Sequence, residues 1–150
     1  MTSIKHQLYS HCLAYVEQRI AAAQEAIAIA QQSANEETKS SAGDKYETGR
    51  AMAQLEIEKN SQQLAESLRL KRTLEKIEVD QKTNTVVVGS LVRTNRGNFY
   101  VAISAGQFTI DKELYFAISP ASPIGQKLLG LHVEQWFSFN KMDYLITHID

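Results

Sequence analysis

The chain has 150 residues, a formal net charge of -1 and a sequence pI of about 6.4. This balance excludes the strongly basic surface of proteins that bind nucleic acids mainly through phosphates, so we expect protein partners and no sequence-specific DNA binding. A single cysteine, Cys12, excludes an intramolecular disulfide and a zinc cluster built from thiolates, which favours a reducing compartment. No signal peptide and no membrane span are predicted, and we expect a cytoplasmic protein.

A coiled-coil seam is predicted in the first third of the chain. Apolar or small residues recur there at spacings of three and four, the pattern of a helix that packs against another helix. The seam residues are Tyr9, Leu13, Val16, Ile20, Ala23, Ile27, Ala30 and Ala34. Neither Pro nor Gly occurs between Met1 and Ala42, so we predict an uninterrupted helix.

A second helical pattern follows an acidic segment, Asn35–Arg50. The acids of interest in this segment are Glu36, Glu37, Asp44 and Glu47. Ser41 stands three residues before Asp44, an arrangement typical of a helix start. The predicted apolar seam of the second helix consists of Met52, Leu55, Ile57, Leu64, Leu68, Leu74 and Ile77. We therefore predict an antiparallel helical hairpin over residues 1–77, with its tip at residues 35–50.

From Glu78 onward the pattern is rich in β-branched and aromatic residues, which predicts a second domain over residues 78–150. The predicted strands are Thr85–Thr94, Phe99–Ser104, Glu113–Ser119, Val133–Phe139 and Tyr144–Ile149. Pro123 is expected to open a short helix that ends at Gly130. The fold class predicted for the chain is therefore α+β, a helical hairpin followed by a small antiparallel β domain with one short helix.

The second domain resembles a known family. The stretch GSLVRT (residues 89–94), followed by ISPASPIGQKLLGLHVEQWFSF (118–139) and DYLITHI (143–149), is similar to the C-terminal domain of the GreA/GreB transcript cleavage factors. The resemblance covers most of residues 85–149. The whole arrangement, a hairpin with SSAGDKYETGRAMAQLE in its middle followed by the domain with the SPIG motif (residues 122–125), looks like a divergent GreA-like group associated with Bacteroidota. The resemblance implies an FKBP-like fold for this domain, joined to a coiled-coil hairpin.

The resemblance also implies a function. Proteins of this family bind RNA polymerase and insert the hairpin tip into its secondary channel, where tip carboxylates help to hold a Mg²⁺ ion shared with the polymerase and so promote cleavage of backtracked RNA. By this resemblance Asp44 and Glu47, supported by Glu36 and Glu37, would assist the polymerase metal. The chain would have no catalytic residue, stable metal or cofactor of its own, because it would stimulate the nuclease activity of the polymerase. The candidate docking residues are Ser122, Pro123, Ile124, Gly125 and Trp136.

One further feature allows more than one interpretation. A basic run near the end of the second helix is either an ordinary exposed helix face or a contact with polymerase or nascent RNA. It consists of Arg69, Lys71, Arg72 and Lys76.

His11 and Cys12 are adjacent on a helix, point in different directions and have no identifiable orienting group, so we expect no nucleophilic site there.

Several alternatives remain open on sequence alone. Asp44 and Glu47 also fit a solvated loop in which they only cap a helix and oppose its dipole. Lys39 and Lys45 favour a regulator that occupies the polymerase channel without stimulating cleavage. From other classes, an FKBP-like prolyl isomerase or chaperone and a coiled-coil oligomerisation protein also fit the pattern.

Overall fold

The computed structural model describes residues 3–39 and 43–150, with the backbone alone for residues 37–39 and 43–47. Two long helices precede six strands and one short helix, which confirms the predicted α+β class. The elements are α1 Ile4–Lys39, α2 Gly43–Glu75, β1 Leu91–Thr94, β2 Gly97–Val101, β3 Gly106–Ile110, β4 Glu113–Ile118, α3 Pro123–Leu128, β5 Trp136–Phe139 and β6 Met142–Ile149.

The chain divides by contacts into two compact units. We call Val16–Lys71 the helical unit, and Met1–Tyr15 together with Arg72–Asp150 the sheet unit. The first turns of α1 therefore belong to the same unit as the sheet, whereas the sequence pattern had assigned them to the hairpin alone. The predicted boundary at residues 77 and 78 remains a prediction about folding domains. None of the described helices is both long enough and apolar enough to cross a membrane.

The two helices of the helical unit run antiparallel. Near one end Lys71 of α2 lies 3.8 Å from Glu17 of α1, measured between Nζ and Oε1. At the other end Ser33 of α1 and Gly49 of α2 line the same groove. Every predicted seam residue of α1 is buried or half-buried, so the α1 heptad prediction is confirmed. The predicted start of α2 at Ser41 lies outside the described residues.

The seam predicted for α2 is partly wrong. Met52 and Leu55 are 64% and 65% exposed, and Leu68 is also exposed. The other four predicted residues, Ile57, Leu64, Leu74 and Ile77, are buried or half-buried. The inward positions that were not predicted are Ala53, Asn60 and Ser67, which with Leu74 repeat every seven residues. Small side chains face inward because the seam of α1 is itself rich in alanine, and small residues on both helices permit a close approach. Apolar character alone therefore placed Met52, Leu55 and Leu68 inward and overlooked the small inward residues.

The strands form one six-stranded sheet in the order β3-β4-β2-β1-β6-β5. Neighbouring strands pair antiparallel except β2 and β4, which are parallel. The sequence pattern predicted only antiparallel strands and did not identify β3, a short edge strand whose residues are mostly exposed. A mostly exposed strand carries little apolar alternation, which is the signal that sequence reading depends on.

The predicted strand Thr85–Thr94 is correct only over Leu91–Thr94. Gly89 turns the chain with a φ of +99°, in the left-handed region that favours glycine. The Ser90 hydroxyl accepts a hydrogen bond from the Val87 N–H at 3.0 Å and so closes this turn. A Cβ on Gly89 would approach the Ile77 side chain to 2.9 Å. The chain therefore turns at Gly89 just before β1, and Thr85 forms only an isolated antiparallel bridge with His132.

Both faces of the sheet are covered within the sheet unit. One face carries an apolar cluster that includes Phe99 and Val101 and reaches Leu128 of α3. The residue between them, Tyr100, points to the opposite face because side chains alternate along a strand, and it is fully buried. The first turns of α1 cover that second face, since the His11 ring stacks on Phe108 of β3 with 4.9 Å between centroids. Two further α1 residues, Leu8 and Cys12, are fully buried there.

Candidate functional site

An apolar groove runs along one flank of the helical unit. It has a volume of about 520 Å³. Its lining consists of Ala26, Ile29, Ala30, Ser33, Gly49, Met52, Ala53, Leu55 and Glu56. The large side chains Ile29, Met52 and Leu55 are mostly exposed in this lining, and contiguous exposed apolar surface marks sites of protein interaction. The groove is therefore chemically suited to a contact with another protein.

The predicted acidic tip is described only in part. Glu36 is exposed near the end of α1, and its Oε1 accepts a hydrogen bond from Gln32 at 3.5 Å. The side chains of Glu37, Asp44 and Glu47 lie outside the described residues. The backbone places Asp44 and Glu47 in the first turns of α2, where the helix dipole favours negative charge.

No metal site can be built from the side chains that the structure describes, because they contain no group of three or more His, Cys, Asp or Glu with suitable placement. Three of the four predicted tip carboxylates are outside that set. The shared Mg²⁺ site at the tip therefore stays a prediction.

The basic run predicted near the end of α2 has mixed surroundings. Lys71 pairs with Glu17 across the helical unit, and both side chains are partly exposed, so this pair contributes little to stability. Arg69 also has an interaction partner. Arg72 and Lys76 are exposed. Arg72 lies in the last turn of α2, where a positive charge interacts favourably with the negative end of the helix dipole. The proposed contact with polymerase or nascent RNA remains a prediction.

The SPIG residues (122–125) at the start of α3 hold the local fold together. The Ser122 hydroxyl accepts a hydrogen bond from the Gly125 N–H at 3.1 Å and so caps the helix, while Pro123 occupies the first turn, where its missing N–H has no cost. Gly125 is buried, and Ile124 packs partly buried against the apolar cluster of the sheet unit. Of the four, Pro123 is the one with an exposed side chain.

Trp136 lies on the edge strand β5 and is 59% exposed. Nearby in sequence and along the same hairpin, Val133 and Met142 are also exposed. On the same strand, Phe137 stacks on Tyr144 with 4.9 Å between ring centroids. Exposed tryptophan side chains are frequent anchors of protein interfaces, and the docking role of Trp136 stays a prediction.

The adjacent residues His11 and Cys12 have different environments. The Cys12 side chain is fully buried, and burial raises its pKa to about 12. A thiol with so high a pKa is not a nucleophile at neutral pH, because only the thiolate reacts. His11 is held by its stacking on Phe108. Both residues pack the fold.

Sequence analysis missed a polar network across the sheet. Arg93 of β1 donates hydrogen bonds to Glu113 Oε2 at 2.9 Å and to the Tyr115 hydroxyl at 3.2 Å, both at the start of β4. The Tyr115 hydroxyl donates to the same Glu113 oxygen at 2.8 Å. The hydrogen bond from Arg93, and after it the one from Tyr115, lower the pKa of Glu113. Arg93 lies on β1 and its two partners lie on β4, so no local sequence pattern could predict their contact.

The buried lysine at the start of α1 was also missed. Lys5 is only 8% exposed, and its ammonium donates a hydrogen bond to the Gln81 carbonyl oxygen at 2.8 Å. A signal was present in the sequence, because Lys5, Leu8 and Cys12 share one face of a helix. That face packs in the sheet unit, beside the seam that the heptad pattern identified.

No protein-family model matches the chain, and no curated protein matches it. Among solved structures the chain is similar to one described as the structure of the transcription factor Gfh1. The identity is 18% and the TM-score 0.36, over 91% of this chain and 92% of that chain.

Proposed function

We propose that this protein is a transcription factor of the GreA/GreB type that binds RNA polymerase and places the tip of its helical hairpin in the secondary channel. There the tip carboxylates promote cleavage of backtracked RNA by the polymerase itself. Asp44 and Glu47 share the Mg²⁺ ion with the polymerase, because carboxylate oxygens are the ligands that this ion prefers. The second metal stabilises the attacking and leaving oxygens of phosphoryl transfer.

One observation carries the proposal. The chain contains an antiparallel pair of long helices followed by a six-stranded sheet. The short helix α3, between β4 and β5, begins at the SPIG motif, which is part of the sequence similarity to the GreA/GreB family. Ser122 and Gly125 occupy positions in that motif that demand a hydroxyl and a residue without a side chain. The motif therefore encodes a specific turn into α3. A sequence similarity at positions with such structural requirements is stronger support for the proposal than a chance match of four residues.

The experiment measures RNA cleavage in stalled, backtracked elongation complexes. Wild-type protein should accelerate cleavage, and the Asp44→Ala/Glu47→Ala variant should lose the acceleration while still binding the polymerase. A matched control, Glu58→Ala/Glu66→Ala, removes two exposed carboxylates of α2 away from the tip and should keep the activity. Equal acceleration by wild type and the tip variant would remove the tip carboxylates from the proposed chemistry.

A second function in the same location is favoured by Lys39 and Lys45, which make the tip segment less acidic. In that case the protein occupies the channel and changes initiation without stimulating cleavage. Run-off transcription separates the two functions. A change in run-off yield with no change in cleavage rate would favour the channel regulator over the cleavage factor.

A further inference from the structure

Strand β5 lies at one edge of the six-stranded sheet. Its sequence, Trp-Phe-Ser-Phe at positions 136–139, contains neither a charged residue nor a proline. Natural edge strands use charged residues and prolines to avoid pairing with another chain, because the unpaired N–H and C=O groups of an edge are a template for a further strand. The edge of β5 is therefore suited to pairing with one more strand.

The hairpin geometry determines which backbone groups of β5 face the open edge. A turn with positive φ at both of its central residues joins β5 to β6, as in type I′ hairpins. The residues that flank this turn, Phe139 and Met142, form a hydrogen-bonded pair, and bonded and non-bonded pairs then alternate along the strands. The N–H and C=O groups of Trp136 and Ser138 therefore point away from β6, toward the open edge.

Trp136 adds a large apolar side chain to these backbone groups. It is 59% exposed, although tryptophan is a residue type that often anchors protein interfaces. The next residue, Phe137, points to the opposite face of the sheet and stacks on Tyr144. A strand that pairs with β5 would thus gain backbone hydrogen bonds and also cover Trp136.

We propose that the strand on this edge is β5 of a second copy of the chain, paired antiparallel about a two-fold axis at Phe137. Trp136 of each copy then lies opposite Ser138 of the other copy. Because the N–H and C=O groups of both residues point outward, each of these two pairs exchanges both of its backbone hydrogen bonds. The two Trp136 side chains become diagonal neighbours, a distance that aromatic side chains can span.

The charges at the two ends of β5 favour a second copy as the partner. Glu134 precedes the strand and Lys141 follows it, and both side chains are exposed. Antiparallel pairing about Phe137 brings Glu134 of each copy next to the turn that carries Lys141 of the other copy. Opposite charges therefore meet at both ends of the strand pair. Attraction between exposed charges is small, but it selects the antiparallel orientation.

The opposite edge strand, β3, lacks this complementarity. Asp111 and Lys112 stand together at one end of β3, and antiparallel self-pairing about its central residue, Phe108, would place Asp111 opposite the uncharged Ala105. The Phe108 ring is also stacked with His11 of α1. Of the two edges, that of β5 is therefore the one suited to a second copy.

Sedimentation equilibrium of the full chain, from micromolar to millimolar concentration, tests the pairing. We expect a reversible dimer that is weak, because a pair of short strands buries less surface than a standard interface. The fluorescence of Trp136, the only tryptophan in the chain, should shift to shorter wavelength as the dimer forms, since the indole leaves water. Ser138→Pro removes an N–H that points away from β6 and should abolish the dimer.

Exchange of the end charges tests the orientation of the strands. Glu134→Lys and Lys141→Glu, each alone, should raise the dissociation constant of the dimer severalfold, because like charges then meet at both ends. The double variant should restore the wild-type constant. Both positions are exposed, so we expect these variants to fold. Leu114→Lys, the control, replaces an exposed apolar side chain of the interior strand β4 and should leave the constant unchanged.

Three results would overturn the proposal. The first is a chain that stays monomeric at every concentration, which would leave the β5 edge to a strand of a different protein. The second is a dimer that both Ser138→Pro and the charge variants leave intact, because the contact would then lie elsewhere in the chain. The third is a double charge variant that dimerises no better than the single variants, a comparison that holds even if Ser138→Pro fails to fold.

Discussion

The Ser122 hydroxyl donates a hydrogen bond to the carbonyl oxygen of Ser119 at 2.6 Å. The Ser122 Oγ also accepts a hydrogen bond from the Gly125 N–H, so one side chain fixes both the turn before α3 and the first turn of the helix. Ser122→Ala should lower the free energy of unfolding by about 1–2 kcal/mol, because a cap is lost and a backbone N–H loses its acceptor. Urea unfolding measures the change.

Ser104→Ala is the matched control for this prediction, since Ser104 is exposed. It should change stability by less than about 0.5 kcal/mol. Equal stability of the Ser122 and Ser104 variants would contradict the capping role.

Neighbouring residues of α2 test the corrected register of the hairpin. Ala53 is buried and Met52 is exposed, although the apolar pattern favoured Met52 as the inward residue. Ala53→Gln should destabilise the fold by about 1–3 kcal/mol, because a larger polar side chain must enter a packed seam. Met52→Gln should stay within about 0.5 kcal/mol of wild type. Thermal unfolding of the two variants provides the comparison. A larger loss of stability in the Met52 variant than in the Ala53 variant would indicate that Met52 is the inward residue.

The network around Glu113 predicts a pH dependence of stability. Hydrogen bonds, first of all from Arg93, lower the folded-state pKa of Glu113 below its ordinary value of about 4.3. A lowered folded pKa adds stability above the unfolded-state value, and this contribution is lost as the pH falls through the folded pKa. Glu113→Gln should therefore reduce stability at neutral pH and converge with wild type in acid.

Urea midpoints measured from neutral pH down to strongly acidic pH check this convergence. Glu58→Gln on the exposed surface of α2 is the control and should track wild type throughout. A Glu113→Gln curve that stays parallel to wild type at every pH would show that the interaction does not depend on the charge of Glu113.

Cys12 should resist thiol reagents in the folded protein. Its pKa of about 12 lowers the thiolate fraction at neutral pH by on the order of a thousandfold relative to a free cysteine, and its burial also blocks access. Labelling with a chromogenic disulfide reagent should be slow in buffer and rapid in urea. Fast labelling of the native protein would contradict the packing of the first turns of α1 in the sheet unit.

Sequence reading succeeded where a local pattern decides the structure. The heptads of α1 and the helix start at Pro123 were predicted correctly because each depends on residues close together in the chain. It failed where the packing partner decides. Ala53 is inward because α1 presents alanines, and Leu8 and Cys12 are buried because the sheet unit receives the start of α1.

The candidate site shows the same division. The groove beside Ile29 and Met52 could not be predicted, because its existence depends on the register between two helices. The Lys5 contact with the Gln81 carbonyl likewise joins residues that are more than seventy positions apart. The acidic tip remains a prediction from Asp44 and Glu47 in the sequence.

The most direct test of the proposed function is to measure, by analytical ultracentrifugation, whether the purified chain associates with purified core RNA polymerase. We predict a saturable complex of one chain per polymerase that also forms with the Asp44→Ala/Glu47→Ala variant, because in the proposed function the tip carboxylates act in the chemistry and not in docking. Sedimentation of the chain apart from the polymerase at every concentration tested would contradict the account.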